Sequence, residues 1–167
     1  MKAVVQERAL PIDDPASLSD MNVPAPGQPA GHDLLVRVLA VSVNPVDAKQ
    51  RRAPRADDAP PRILGFDAAG VVEAVGPEVT AFAPGDEVYY AGDVTRPGCN
   101  AQWQQVDARV VGRKPTTLDF AEAAALPLTT LTAWELLFDR MCLRFDDCRH
   151  RGALLLVIGG AGGVGSM

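Results

Sequence analysis

Cysteine is scarce in this chain: Cys99, Cys142 and Cys148 are the only three in 167 residues. An odd, widely spaced set does not make a disulfide framework, and the N-terminus carries no secretory signal pattern, so a reducing, cytoplasmic setting is expected. Long apolar runs are missing too. None approaches the ~20 residues that a membrane-spanning helix needs. Nor is there an excess of positive charge, because 16 Lys and Arg face 21 Asp and Glu for a net charge of −5. That balance argues against a general nucleic-acid or anionic-membrane partner, both of which require basic surface to neutralise phosphate. The one basic cluster, Lys49, Arg51, Arg52 and Arg55, reads as a solvated loop, with local anion binding as the alternative. Metal-ligand spacing is also lacking, since Cys142 and Cys148 near His150 do not have the short separation of a structural zinc site.

What remains is the composition of an ordinary globular protein, 47% hydrophobic and 22% charged, long enough for one core and part of a second. Residues 2–5 predict a short strand. Residues 33–43 predict a long one, in which Leu35, Arg37, Leu39 and Val41 alternate with Leu34, Val36, Val38 and Ala40. Between them, residues 11–31 are too rich in Pro, Asp, Ser and Gly for regular structure throughout. Further short strands are expected at 71–75, at 88–91 after the turn sequence Pro84-Gly85-Asp86, at 101–106 and at 109–111, spaced like a barrel or sandwich. Residues 51–62, with three prolines among many charges, read as a loop.

After Pro115 the pattern turns helical. Asp119 followed by Glu122 resembles a capping box before an alanine-rich stretch. Pro127 then breaks or restarts the helix, and Leu131, Trp134, Phe138 and Met141 recur at helical spacing. The five apolar residues 154–158 suit a strand buried on both faces of a parallel sheet. They run into Gly159-Gly160-Ala161-Gly162-Gly163-Val164-Gly165, whose Gly160-x-Gly162-x-x-Gly165 spacing fits a turn that lets backbone approach a pyrophosphate. A plain glycine turn is the competing reading. The acidic or basic residue that would select NAD or NADP, roughly 20 positions further on, lies beyond Met167, so both cofactors stay admissible.

Five blocks in order carry a family resemblance: Val43-Asn44-Pro45-Val46-Asp47-Ala48-Lys49, Leu64-Gly65-Phe66-Asp67-Ala68-Ala69-Gly70-Val71-Val72, Pro84-Gly85-Asp86-Glu87-Val88, the stretch from Ala123 to Trp134 around Leu126-Pro127, and the terminal Gly-Gly-Val-Gly. Together they resemble the N-terminal half of a medium-chain dehydrogenase/reductase of the quinone-oxidoreductase-like branch, whose relatives are often labelled zinc-type alcohol dehydrogenase-like. The resemblance implies a mostly β fold: a GroES-like, partly open β-barrel over residues 1–126, then helices and the first strand-turn of a truncated Rossmann domain over residues 127–167. It implies an NAD(P)H-dependent reductase of a quinone or an α,β-unsaturated carbonyl, homodimeric when complete. As a fragment it is expected to be inactive.

The same resemblance places Asn44 beside the nicotinamide and the substrate, as a catalytic hydrogen-bond donor, although Asn44 could equally be a turn residue before Pro45. Thr132 matches a threonine near the nicotinamide, against the alternative of a hydroxyl bonded to its own helix. Tyr90, at a strand end, is a second catalytic candidate, with core packing as the default for Tyr89 and Tyr90. Gly160, Gly162, Gly163, Val164 and Gly165 match the pyrophosphate turn. Zinc is not expected: Asn44 stands where the zinc enzymes have a cysteine, Phe66-Asp67 where they have a His-Glu pair, and one carboxylate cannot make the site. A non-catalytic β-barrel interaction module and a zinc alcohol dehydrogenase fragment are the competing functions.

Overall fold

The computed structural model describes residues 1–56, 59–144 and 152–167; Cys148 and His150 lie outside them. Chain order is β1 (Lys2–Gln6), β2 (Ser19–Asn22), β3 (Asp33–Ser42), α1 (Pro45–Arg52), β4 (Arg62–Ile63), β5 (Asp67–Val75), β6 (Glu87–Ala91), β7 (Trp103–Asp107), β8 (Val111–Arg113), α2 (Phe120–Ala124) and α3 (Pro127–Trp134). The strands form two open, antiparallel sheets: β2-β1-β4, and β7-β3-β5-β6-β8. An isolated bridge, Ala3 to Ala101, ties β1 to the segment that leads into β7. The expected mostly β architecture is what the chain adopts.

The longest pairing, β3 with β5, sets Val36 opposite Val72, Val38 opposite Gly70 and Ser42 opposite Asp67, with two irregularities along the way. One face of this sheet carries the main core, in which Leu34, Val36, Ala68, Val72, Val88, Tyr90, Cys99 and Val106 are buried. The predicted alternation holds as far as Val38, with Leu34 and Val36 fully enclosed; beyond the irregularity between Val38 and Ala40 the faces exchange, Ala40 packs with Ala69 on the other side, and Leu39 and Val41 are exposed. Helix α2 covers part of that other face, packing Ala123 and Ala124 on Ala69. Small side chains at all three positions let the helix approach the strand closely. Its start follows the predicted capping box, with Asp119 Oδ1 accepting from Glu122 N at 2.8 Å and Glu122 Oε2 from Asp119 N at 2.9 Å.

Several elements differ from the sequence expectations. Residues 45–52, read as turn and loop, form the full helix α1, because Pro45 occupies the first helical position and Asp47 supplies an acidic first turn. Strand β2 emerges inside the Pro- and Asp-rich stretch by pairing with β1, a tertiary partner that local composition does not reveal. Past Trp134 the regular α-helix gives way to a π-helical stretch, Glu135–Arg140. The expected strand at residues 154–158 does not form, and Leu154 and Ile158 are 99% and 90% exposed. No second strand lies beside it among the described residues, and a lone strand leaves its ladder groups unpaired.

Gly70 marks the tightest approach in the β3–β5 pair, since a Cβ there would sit 2.2 Å from the Arg37 carbonyl oxygen and 2.9 Å from Val36 Cγ1. Gly70→Ala should therefore lower stability by about 2 kcal/mol or more, as overpacking against backbone does. Urea unfolding checks this, with Gly27→Ala as the control because nothing lies within 4 Å of the added methyl.

Candidate functional site

The β3–β5 register creates a buried polar cluster at the end of the main sheet. Asp67, the first residue of β5, lies opposite Ser42, and two residues beyond Ser42 the chain reaches Asn44 and turns into α1. The Asp67 carboxylate is fully enclosed. Its Oδ2 accepts from Asn44 Nδ2 at 2.9 Å and from Ser42 Oγ at 3.3 Å, while its Oδ1 accepts from Leu128 N at 3.0 Å. Burial raises its pKa above the ordinary carboxylate value, partly offset by the Asn44 amide, the Leu128 N–H and Ser42, and Asp47 raises it further.

Each partner has a local reason to be there. Helix α3 starts at Pro127, which has no N–H, and its N-cap residue, Leu126, has no side-chain hydrogen bond to offer. The Leu128 N–H is therefore satisfied from β5, 61 residues upstream. At the other helix, Asp47 Oδ2 accepts from Asn44 N at 2.7 Å. The reciprocal approach of the Asn44 side chain completes a capping box in outline, too loose for a regular cap bond. Asp47 is also buried, which raises its pKa, and its Oδ1 has no hydrogen-bond partner.

Of the residues predicted from sequence, Asn44 is thus enclosed and anchored, and tied through Asp67 to α3. Thr132 lies on α3 but is exposed, and its hydroxyl donates to Leu128 O at 2.7 Å within its own helix. The glycine turn folds on itself, with Gly162 N donating to Gly159 O at 2.8 Å and Ser166 N to Gly162 O at 3.0 Å. It rests against α3, where a Cβ on Gly163 would come within 3.1 Å of Thr129 Cγ2. Val164 is exposed. Tyr90 is not brought to this site. It sits in the main core at 2% exposure with its hydroxyl donating to Gln104 Oε1 at 2.9 Å, and burial pushes its pKa far up. The expectation of Tyr90 at a cleft gives way to the core packing that an inward position on β6 dictates.

A cavity of about 740 Å³ opens between the small sheet and the start of β7, lined by Val5, Ile63, Leu64, Phe66, Val94 and Trp103 among others, with Arg62, Asp93, Arg96 and Gln104 among its polar contacts; none of the cluster residues lines it. Phe66 immediately precedes Asp67, so one short segment walls the cavity and anchors Asn44. Sequence reading gave Asp67 no positive role and did not anticipate the cavity. A lone acid opening the small-residue strand Ala68-Ala69-Gly70 was the available signal.

The sequence pattern of the alcohol dehydrogenase GroES-like domain matches residues 30–133. The chain belongs to this family. A zinc-type alcohol dehydrogenase-like protein of Staphylococcus epidermidis is 44% identical over all 167 residues, which cover 49% of that protein. The 2-methylene-furan-3-one reductase of Solanum lycopersicum is 42% identical over 144 residues, 80% of this chain and 35% of that one. Among solved structures, the quinone oxidoreductase of Coxiella burnetii superposes with a TM-score of 0.80 at 28% identity, covering 99% of this chain and 51% of the other. The chain spans about half the length of the curated relatives it matches. It corresponds to the N-terminal half of a medium-chain dehydrogenase/reductase, a superfamily of oxidoreductases.

The zinc in several relatives' names can be tested against the donors present. Catalytic zinc needs three His, Cys or carboxylate ligands and an open position. Here both Asp67 oxygens already accept from N–H and O–H groups, and Phe66 is apolar. Burial, with Asp47 and Asp67 close by, pushes the Cys99 thiol up to about 12, away from the thiolate that a metal binds. No grouping of three metal-type ligands occurs among the described residues. Among the described residues, this donor set does not fit zinc.

Tyr90→Phe should cost about 1–2 kcal/mol by leaving Gln104 Oε1 without its donor, read by urea unfolding. A second outcome concerns pH. A carboxylate whose folded pKa is raised contributes stability that is present below its unfolded value and lost as pH rises through the folded one. Asp67→Asn removes that titration, so the wild type's stability advantage over the variant should shrink as pH climbs from 3.8 through the raised pKa of Asp67. A pH-independent difference between the two would contradict it. Comparison with the variant is required because Asp86, Asp93 and Asp107, with lowered pKa values, slope the opposite way in both proteins.

Proposed function

We propose that this chain is the acceptor-binding portion of an NAD(P)H-dependent, zinc-independent oxidoreductase that reduces a quinone or an α,β-unsaturated carbonyl. The observation that carries the reading is a buried asparagine held by a buried carboxylate, on a domain that also carries a mainly apolar cavity of about 740 Å³ with Phe66, the residue before that carboxylate, in its wall. A volume of this order suits a small ring or enone, and a few polar groups in an apolar wall suffice to orient it. The names of the tomato enone reductase and the Coxiella quinone oxidoreductase support the same acceptor class.

In this reading residues 1–126 form the substrate domain and residues 127–167 begin the dinucleotide-binding domain. Gly160, Gly162, Gly163, Val164 and Gly165 hold the pyrophosphate through backbone N–H groups. The turn is compact enough for such an approach only without side chains, because a Cβ on Gly165 would meet Gly159 O and Gly160 Cα at 2.7 Å. The reduced nicotinamide, when bound, supplies the hydride. Asn44 offers an amide N–H to the oxygen on which negative charge gathers when an enone or quinone accepts hydride. Such an acceptor spreads that charge by conjugation, so its reduction depends less on a Lewis acid than that of an isolated carbonyl. Thr132 lies on the helix flanking the glycine turn and contacts the cofactor once its hydroxyl leaves the Leu128 carbonyl. The 740 Å³ cavity, with Phe66 and Trp103 in its wall, offers apolar surface for the body of the acceptor.

A chimera decides the matter. The 167 residues, joined to the C-terminal half of the Staphylococcus epidermidis relative, should oxidise NADH or NADPH in the presence of a quinone or an enone with chelator present, and Asn44→Ala should lower kcat by about 10²-fold or more. The 167-residue chain alone should show no turnover. Activity of the chimera only with an alcohol and added zinc would overturn the proposal.

A further inference from the structure

Among buried titratable groups, Asp67 stands out because its three donors come from three separate segments: the end of β3 through Ser42, the β3–α1 corner through Asn44, and the start of α3 through Leu128. We propose that Asp67 is a positioning residue, which fixes the amide plane of Asn44 and, through the same carboxylate, sets the distance between Asn44 and the helix that carries Thr132.

The chemistry is restrictive. A carboxylate only accepts, so the Asn44 amide must turn its nitrogen, not its oxygen, toward Asp67. One N–H is then committed, and the amide's carbonyl side faces the first turn of α1. A single N–H is left, in a plane that cannot rotate without breaking a buried, charge-assisted bond. The other end of the tether matters equally. Because Leu126 provides no side-chain cap, the first N–H of α3 depends on Asp67. Any shift of the Asp67 side chain therefore moves the Asn44 amide and the α3 terminus together. The positive ends of α1 and α3 both lie near the cluster and favour the charged form. Burial and the neighbouring Asp47 oppose it, while the Cys99 thiol stays neutral beside the Asp67 backbone carbonyl. If Asp67 takes up a proton, it becomes a donor, and the pairing that holds the amide nitrogen inward is lost.

Its bearing on hydride transfer rests on the function proposed above; the tether itself does not, and it can be read in the 167-residue chain by NMR. The Asn44 side-chain amide protons should exchange with solvent at least about tenfold more slowly than those of exposed Asn22. The Asn44 Nδ2 and Leu128 backbone signals should move together with one midpoint as pH is lowered, Asp47 being separated from Asp67 by repeating the titration in Asp47→Asn. In Asp67→Asn, with Val36 and Val72 amides still protected, the common midpoint should vanish. The slow exchange of the Asn44 amide should be lost with it, while Asp67→Glu should restore part of the protection. Should Asp67→Asn fail to fold, the titration of the wild type decides alone. Asn44 signals that exchange as fast as those of Asn22, or that titrate independently of Leu128, would overturn the proposal. An inactive chimera whose Asn44 and Leu128 still titrate together would refute the proposed function and leave the tether intact.

Discussion

Removing a carboxylate from water costs several kcal/mol even after relaxation, and the cost is recovered only when hydrogen bonds meet its oxygens. Asp67 meets that condition with donors from three parts of the chain, and much of the geometry around the candidate site follows. The end of β3, the entry into α1 and the first turn of α3 must all arrive at one point. None can be displaced without leaving a charge, an amide or a helix N–H unpaired in a dry environment. The cavity wall at Phe66 inherits this rigidity, being one residue away.

The rest of the barrel supplies the platform. The pairing of β3 with β5 puts Ser42 opposite Asp67 at one end and Val36 opposite Val72 in the core. The hydrophobic face and the polar cluster are therefore consequences of one strand pairing with its two irregularities, and a one-residue slip would turn the core residues toward solvent. Helix α2 secures the opposite face through alanine-on-alanine contact, and this brings the chain to Leu126 and the start of α3. Tyr90, inside the same platform, is held by Gln104 and by burial, and its role is to fill the core.

How much of this could be read beforehand depends on the range of the interactions involved. The strand alternation at Leu34 and Val36, the capping box of Asp119 and Glu122 and the restart at Pro127 are local patterns, and each appears where its residues stand. Asn44 stood out by resemblance. Its anchor did not, because Asp67, Ser42 and Leu128 come together only when strands 25 residues apart pair and a helix 61 residues away docks. Strand β2 and helix α1 were missed because charged and proline-rich composition masked a tertiary partner in one case and a proline at N1 in the other. At residues 154–158 the apolar run suggested a strand, but apolar character specifies burial only when another surface is present to receive it.

The uncapped start of α3 carries a consequence for the stability of that helix. An isolated helix of eight residues is far below the length that sustains itself in water, and the group that satisfies its Leu128 N–H belongs to a distant strand. The first turn of the helix therefore depends on the paired β3 and β5 for part of its stability. Loss of the Asp67 end of the β3–β5 pair would therefore leave the Leu128 N–H without its acceptor and weaken the segment beside the glycine turn as well.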